Sequence, residues 1–183
     1  MTGWYHRKLS KLLYNHAVFD DIVTFGKTTK WTEGYDRNGI LWNINELNLS
    51  TDDFPILDEI YGAVNFEFKK RRFYLSSVPA GGLPNHIDHQ KWGNLGFPLI
   101  GNFETSPQYY YDQFNHPVEQ FTLNEPVLFN TRMLHGVPRS KDDTAPRWIL
   151  MLEVYDWIDN VFKKVDNNTF WTDTDNFKWR AYG

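Results

Sequence analysis

"LNEPVLFNTRMLHGVPRSKDDTAPRWILMLEV", Leu123 to Val154, is the stretch whose reading decides the fold. A turn at Asn124 to Pro126 leads into the short apolar run "PVLFNT", His135 stands at the end of that strand-like region, and Arg147 opens "RWILMLEVYDW". This last segment is apolar on both faces, with Trp148, Leu150 and Leu152 alternating against Ile149 and Met151. A strand of that kind belongs in the middle of a sheet, or under a layer of helices, because an apolar face left to water is unfavourable.

Working outward, the same β grain begins near residue 62. "AVNFEFKK" alternates, "RRFYLSSVPAGG" reads as a strand closing on a Pro/Gly turn, and "FPLIGNF" and "VEQFTL" follow between turn signals. Many short strands in one unit predict a sandwich or jelly roll. The first 60 or so residues are the most helix-like. "HRKLSKLLYNHAVFDDIV" spaces Leu9, Leu12, Leu13, Ala17 and Ile22 near helical period, and "TDDFPILDEIYGAV" offers Thr51 as an N-cap.

With 183 residues, 41% of them hydrophobic, and no repeat or Pro/Gly/Ser-rich linker, the chain is long enough for one core. We therefore expect a single domain over residues 1–183: a helical N-terminal support over 1–61, a jelly-roll core over 62–157 and an aromatic-rich C-terminal extension over 158–183. Aromatic residues make up 17% of the chain, including eight Trp, which favours a β-rich core with aromatic-lined surfaces.

The chain has no cysteine, so disulfides, thiolate metal sites and cysteine nucleophiles are excluded, and His, Asp and Glu remain as ligands. The N-terminal segment has early positive charges but no continuous apolar stretch, and the apolar run "WILML" stops at Glu153. The expected setting is cytoplasmic, with no membrane association and with the sequons at Asn48 and Asn167 unused. A net charge of −4 gives no general attraction to nucleic acid. "KKRR", Lys69 to Arg72, reads as the solvated turn of a hairpin, and "DTDN", Asp173 to Asn176, lacks the central Gly and the closing acid of a calcium loop.

Chemistry concentrates at "PNHIDHQ", Pro84 to Gln90. In an extended segment residues two apart share a side, so His86 and Asp88 project together while Ile87 and His89 project the other way. The tripeptide alone is a weak signal, since a solvated His–Asp pair looks the same. His135 and Arg147 supply context. Two His and one carboxylate occupy one face of an octahedral metal and leave three positions open. An Arg entering a buried strand can clamp a carboxylate with its fork. Arg132 and Arg139 compete for that role, but Arg139 sits in a polar loop, whereas Arg147 is bounded by "AP" and "WILML". A structural salt bridge is the alternative role for Arg147.

The spacing of His86-Ile87-Asp88, His135 and Arg147 resembles the signature of the Fe(II)/2-oxoglutarate-dependent dioxygenases, over roughly residues 62 to 157. The resemblance implies a mainly β fold, a double-stranded β-helix (jelly roll, cupin-like) core with the N-terminal helices packed outside. It implies Fe(II) held by His86, Asp88 and His135, with 2-oxoglutarate as cosubstrate, its C5 carboxylate on Arg147, and O₂ as oxidant. Within that superfamily the chain looks most like the aspartyl/asparaginyl β-hydroxylase-like branch, which includes free-amino-acid and proline hydroxylases. That branch often carries R-x-H-x-P after the first ligand. Here the corresponding stretch is "NLGFP", with Asn94 and Gly96 in place of the Arg and His and Pro98 kept. The implied activity is hydroxylation of an unactivated C–H bond, with an amino acid, free or in a peptide, as substrate and with succinate and CO₂ as coproducts.

Two other readings share the residues. A cupin-like isomerase or hydrolase would use the metal as a Lewis acid without 2-oxoglutarate, and a jelly-roll binding module would need no metal. Arg147 discriminates against the first, which has no evident use for a carboxylate clamp. The aromatic runs "YYYD", Tyr109 to Asp112, and "FWTDTDNFKWRAYG" are expected to pack on the outside of the barrel rather than close over a substrate.

Overall fold

The computed structural model describes residues 5–8, 16–31, 34–35, 41–42, 45–64, 72–78, 82–88, 94–100, 108–121, 126–138, 147–153, 158–167 and 169–170. Strand β1 (His6–Lys8) is followed by a 3-10 turn at His16–Phe19, helix α1 (Asp20–Thr28), β2 (Gly34–Tyr35), β3 (Leu41–Trp42) and β4 (Asn45–Leu49). Helix α2 (Ile56–Ala63) precedes β5 (Arg72–Val78), β6 (Leu83–His86), β7 (Asn94–Ile100), β8 (Gln108–Tyr111) and β9 (Pro117–Phe121). The chain then forms β10 (Val127–Phe129), β11 (His135–Val137), β12 (Arg147–Glu153) and α3 (Ile158–Asp166).

Ten of these strands make two antiparallel sheets, β1-β10-β7-β12-β5-β4 and β6-β11-β8-β9, and β2 pairs with β3 apart from them. From β5 onward the chain crosses between the two sheets at every step except the β8–β9 hairpin, the crossing pattern of a jelly roll. The fold is mainly β, with a jelly-roll, cupin-like core.

Strand β12 is buried at every position and pairs with β7 on one side and β5 on the other. Its two apolar faces serve two layers. Trp148, Leu150 and Leu152 join Leu75, Leu95 and Phe97 in a core closed by Phe19 and Ile22 near or on α1, Leu57 and Ile60 on α2, and Val161 and Phe162 on α3. Ile149 and Met151 turn the other way, into a smaller cluster with Tyr74, Tyr110 and Val127 between the sheets. The central, helix-covered position expected for this strand is the observed one.

Three local expectations are corrected. Residues 6–8 do not begin a helix: β1 pairs with β10 and extends the larger sheet, Arg7 donating to Asp166 at 2.8 Å and lying 5.1 Å over the Phe162 ring. Edge pairing and anchoring to α3 fix these three residues as strand; Leu9, Leu12 and Leu13 lie outside the described residues, among which helix begins at α1 after the 3-10 turn. Thr51 does not cap α2, whose N-cap is Pro55 with no side-chain cap bond. The third is a missed helix, α3, where Val161 and Phe162 are buried and the basic Lys163 falls exposed. Most of "AVNFEFKK", Lys69 to Arg71, His89, Arg139 and the tail from residue 171 lie outside the described residues. No described helix is long and apolar enough to cross a membrane.

The helix layer sits close on the sheet at Gly26, where an added Cβ would meet Leu75 Cδ2 at 2.7 Å and Trp148 Cζ3 at 2.9 Å. At Gly62 on α2 an added Cβ meets nothing within 4 Å. Gly26→Val should therefore lower unfolding stability in urea by about 1–3 kcal/mol through overpacking. Gly62→Ala should raise it by up to about 1 kcal/mol through helix propensity; equal effects at the two sites would refute the close approach of α1.

Candidate metal centre

The site begins at a turn. Gly82 has φ +82°, a conformation that side-chain-bearing residues rarely adopt, and its missing Cβ leaves room for the Val137 carbonyl. Gly136 likewise leaves room for Asn85. These two positions let β6 pair closely with β11, and the pairing puts His86 opposite His135. Their rings lie 4.4 Å apart between centroids, tilted by 49°. Asp88 follows β6 by two residues, and its backbone N–H donates to the Thr131 carbonyl at 2.9 Å, which turns the carboxylate back toward the rings.

His86, Asp88 and His135 each offer a ligand atom, all within 4.8 Å of one another. His86 Nε2 and Asp88 Oδ1 are 3.6 Å apart. Each imidazole contacts a backbone carbonyl two residues upstream through Nδ1, at 2.7 Å: His86 to Pro84, His135 to Met133. A carbonyl only accepts, so Nδ1 carries the proton in both rings and Nε2 presents its lone pair. This is the arrangement that orients a metal-binding histidine. His135 is 8% exposed, and burial, helped by the charge on a protonated His86 and opposed by the Met133 hydrogen bond, pushes its pKa down to about 4. It is therefore neutral and ready to ligate at neutral pH. Two imidazoles and one carboxylate, with no thiolate, form a donor set that fits a non-haem Fe(II) centre with open positions.

Arg147 lies on the other sheet, fully buried. It shares the inward phase of Ile149 and Met151, and its guanidinium donates to the Pro138 carbonyl at 3.4 Å. Burial lowers its pKa, but a guanidinium stays charged, and a buried charge favours an anionic partner. Arg132 is exposed, as suits a residue set aside for this role. The structure thus brings His86, Asp88 and His135 together and sets Arg147 on the facing sheet, while His89 and Arg139 fall outside the described residues.

Tyr110 was expected outside the barrel and is instead inside it. It is 1% exposed, is the cross-strand partner of His135 on the side away from His86, and donates its hydroxyl proton to the Tyr5 carbonyl at 2.6 Å. The Asn130 N–H donates to the same hydroxyl at 3.1 Å. Alternation within "YYYD" could have flagged one inward Tyr, but not which sheet it would face. Burial holds both the Tyr110 and Tyr74 hydroxyls in the neutral form, Tyr74 further so by the charges of Glu46 and Glu153. "NLGFP" forms most of β7: Leu95 and Phe97 enter the helix-covered core, so Asn94, Gly96 and Pro98 face the smaller sheet.

No known protein family matches the chain by sequence, and no curated protein does. Among solved structures, the fold is similar to a prolyl hydroxylase from Trichoplax adhaerens in complex with a hypoxia inducible factor oxygen degradation domain peptide fragment. The TM-score is 0.56 at 15% identity, covering 74% of this chain and 75% of that one. It is also similar to a prolyl-4-hydroxylase from Pseudomonas putida, with a TM-score of 0.53 at 8% identity, covering 81% of this chain and 89% of that one. At such identities the likeness is one of fold.

The neutral His135 has a consequence for the metal-free protein. Its folded pKa, about 4, lies below the unfolded value of 6.5, so between these values the unfolded chain binds a proton that the folded chain does not. Stability from this group is whole above about pH 6.5 and falls as pH drops toward 4, by on the order of 2–3 kcal/mol. Urea unfolding of His135→Gln against the wild type at pH 7 and pH 4.5 should show a smaller acid loss in the variant; the same loss in both would refute the shift.

Proposed function

We propose that the chain is an Fe(II)- and 2-oxoglutarate-dependent oxygenase that hydroxylates an unactivated C–H bond of an amino acid, free or within a peptide. The observation that carries this is the pairing of His86 with His135 beside Asp88, both Nδ1 atoms tied to carbonyls, with Arg147 buried on the facing sheet.

In this reading His86 Nε2, His135 Nε2 and an Asp88 carboxylate oxygen would hold the iron. Arg147 holds the C5 carboxylate of 2-oxoglutarate. The distance suits it: Pro138, which the guanidinium contacts, lies three strand residues beyond His135, about 10 Å. An extended five-carbon dicarboxylate with its end contacts covers a comparable length. Tyr74, Val127, Ile149 and Met151 line the space between the sheets and exclude water, which strengthens every charge interaction inside. Bound Fe(II) and 2-oxoglutarate supply the oxidising chemistry, in which O₂, 2-oxoglutarate and a C–H bond become succinate, CO₂ and a C–OH group. The protein's share is to fix the three ligands, clamp the cosubstrate and place one C–H bond.

The fold likeness to a prolyl hydroxylase that carries a peptide fragment supports an amino-acid or peptide substrate, and the net charge of −4 argues against nucleic acid. Anaerobic titration with Fe(II) and 2-oxoglutarate should give a weak visible charge-transfer band, and O₂ should then give succinate. Absence of both would sink the assignment. Asp88→Ala should abolish succinate formation. Arg147→Ala should weaken 2-oxoglutarate binding by about 2–5 kcal/mol, as loss of one partner of a buried charge pair does; unchanged affinity would refute the clamp.

A further inference from the structure

The inner face of the larger sheet carries a polar row that the metal centre and the Arg147 clamp leave unused. By register Asn94 of β7 pairs with Glu153 of β12, and Glu153 pairs with Arg72 of β5. All three share the phase of residues that face the smaller sheet. Asn94 and Glu153 are each 2% exposed.

Arg72 has its fork engaged on three sides. It donates to Glu153 Oε1 at 2.9 Å, to Glu46 Oε2 at 2.6 Å and to Asn48 Oδ1 at 3.0 Å, and it lies 4.3 Å over the Tyr74 ring. Asn94 Oδ1 is buried with no hydrogen-bond partner. Buried amide oxygens are nearly always bonded in folded proteins, so an unpartnered one calls for a ligand or another explanation. The row also lies at the metal end of the sandwich. Phe129, the β10 partner of Asn94, is two residues from Thr131, whose carbonyl holds the Asp88 N–H.

We propose that Asn94, Glu153 and Arg72 form the subsite that receives a protonated amine of the substrate. Asn94 Oδ1 and the Glu153 carboxylate accept its N–H groups, since a carboxylate can accept several, and Arg72 holds Glu153 in position without offering a fork of its own. Assigning the amine to the substrate rests on the oxygenase reading above; the amine site itself does not. Asn94 and Glu153 touch the substrate in this account, and Arg72 is a positioning residue.

Calorimetry on the full chain, metal-free and with Fe(II) plus 2-oxoglutarate under anaerobic conditions, tests it with three probe sets: free L-amino acids, their Nα-acetyl counterparts, and Nα-acetyl-lysine. At least one amine-bearing probe should bind with Kd below about 1 mM and lose about ten-fold or more on acetylation of that amine. Preference for free amino acids assigns an α-amine, and preference for Nα-acetyl-lysine assigns a side-chain amine. Glu153→Gln and Asn94→Leu should each weaken amine binding about ten-fold or more. Equal binding of acetylated probes overturns the proposal, as do unchanged binding by both variants, no amine binding at about 10 mM, or a fall in 2-oxoglutarate affinity in place of amine affinity. Loss of the wild-type visible band sinks the oxygenase reading alone, because amine binding is read in the metal-free protein too.

Discussion

Strand β12 is the constraint on which the rest depends. It is buried on both faces and bonded on both edges, so its register is set four ways at once. A slip of one residue would turn Trp148 and Leu150 toward the site and Arg147 into the core under the helices. That core could not accept it, because a buried guanidinium among Phe19, Leu57 and Phe162 would have no anion nearby in the cluster. The phase that satisfies the helices is therefore the phase that puts Arg147 opposite the histidines.

The smaller sheet works differently. Its strands are short, and β11 is three residues long, so ladder hydrogen bonds alone hold it weakly. It is fastened by contacts outside the ladders: Tyr110 to Tyr5, Asp88 to Thr131 and Arg147 to Pro138. Each carbonyl in this set is also an orienting device. The pairs that close the sandwich are the pairs that aim Asp88 and Arg147, and the stability of the fold and the geometry of the candidate site are linked through them.

Electrostatics at the two sheets are opposed in design. Around His135 burial removes charge and leaves a neutral donor. Around Glu153 burial is offset by pairing, Arg72 being held charged by Glu46 and Glu153 against the desolvation that acts on it. A buried ion pair adds little net stability over an apolar pair of the same shape. Beside it Asn94 Oδ1 is buried with no hydrogen-bond partner, so this row is polar where the rest of the inner face is largely apolar.

The periodicity of "RWILMLEV" was enough to make β12 central, and the two-residue phase of "HID" was enough to choose His86 and Asp88, because side-chain direction in a strand is a local property. Nothing local could show that His86 and His135 would face each other: that follows from register between β6 and β11, which depends on Gly82 and Gly136 and on sheets that meet only in the folded chain. The strand at residues 6–8, the inward turn of Tyr110 and the row of Asn94, Glu153 and Arg72 were hidden for the same reason. Their partners lie far along the chain, and only closure of the sandwich makes them neighbours. Sequence by itself determined which side chains could carry chemistry and which way each would point from its own strand; tertiary structure decided which of them meet, since burial and cross-strand pairing are properties of the packed whole.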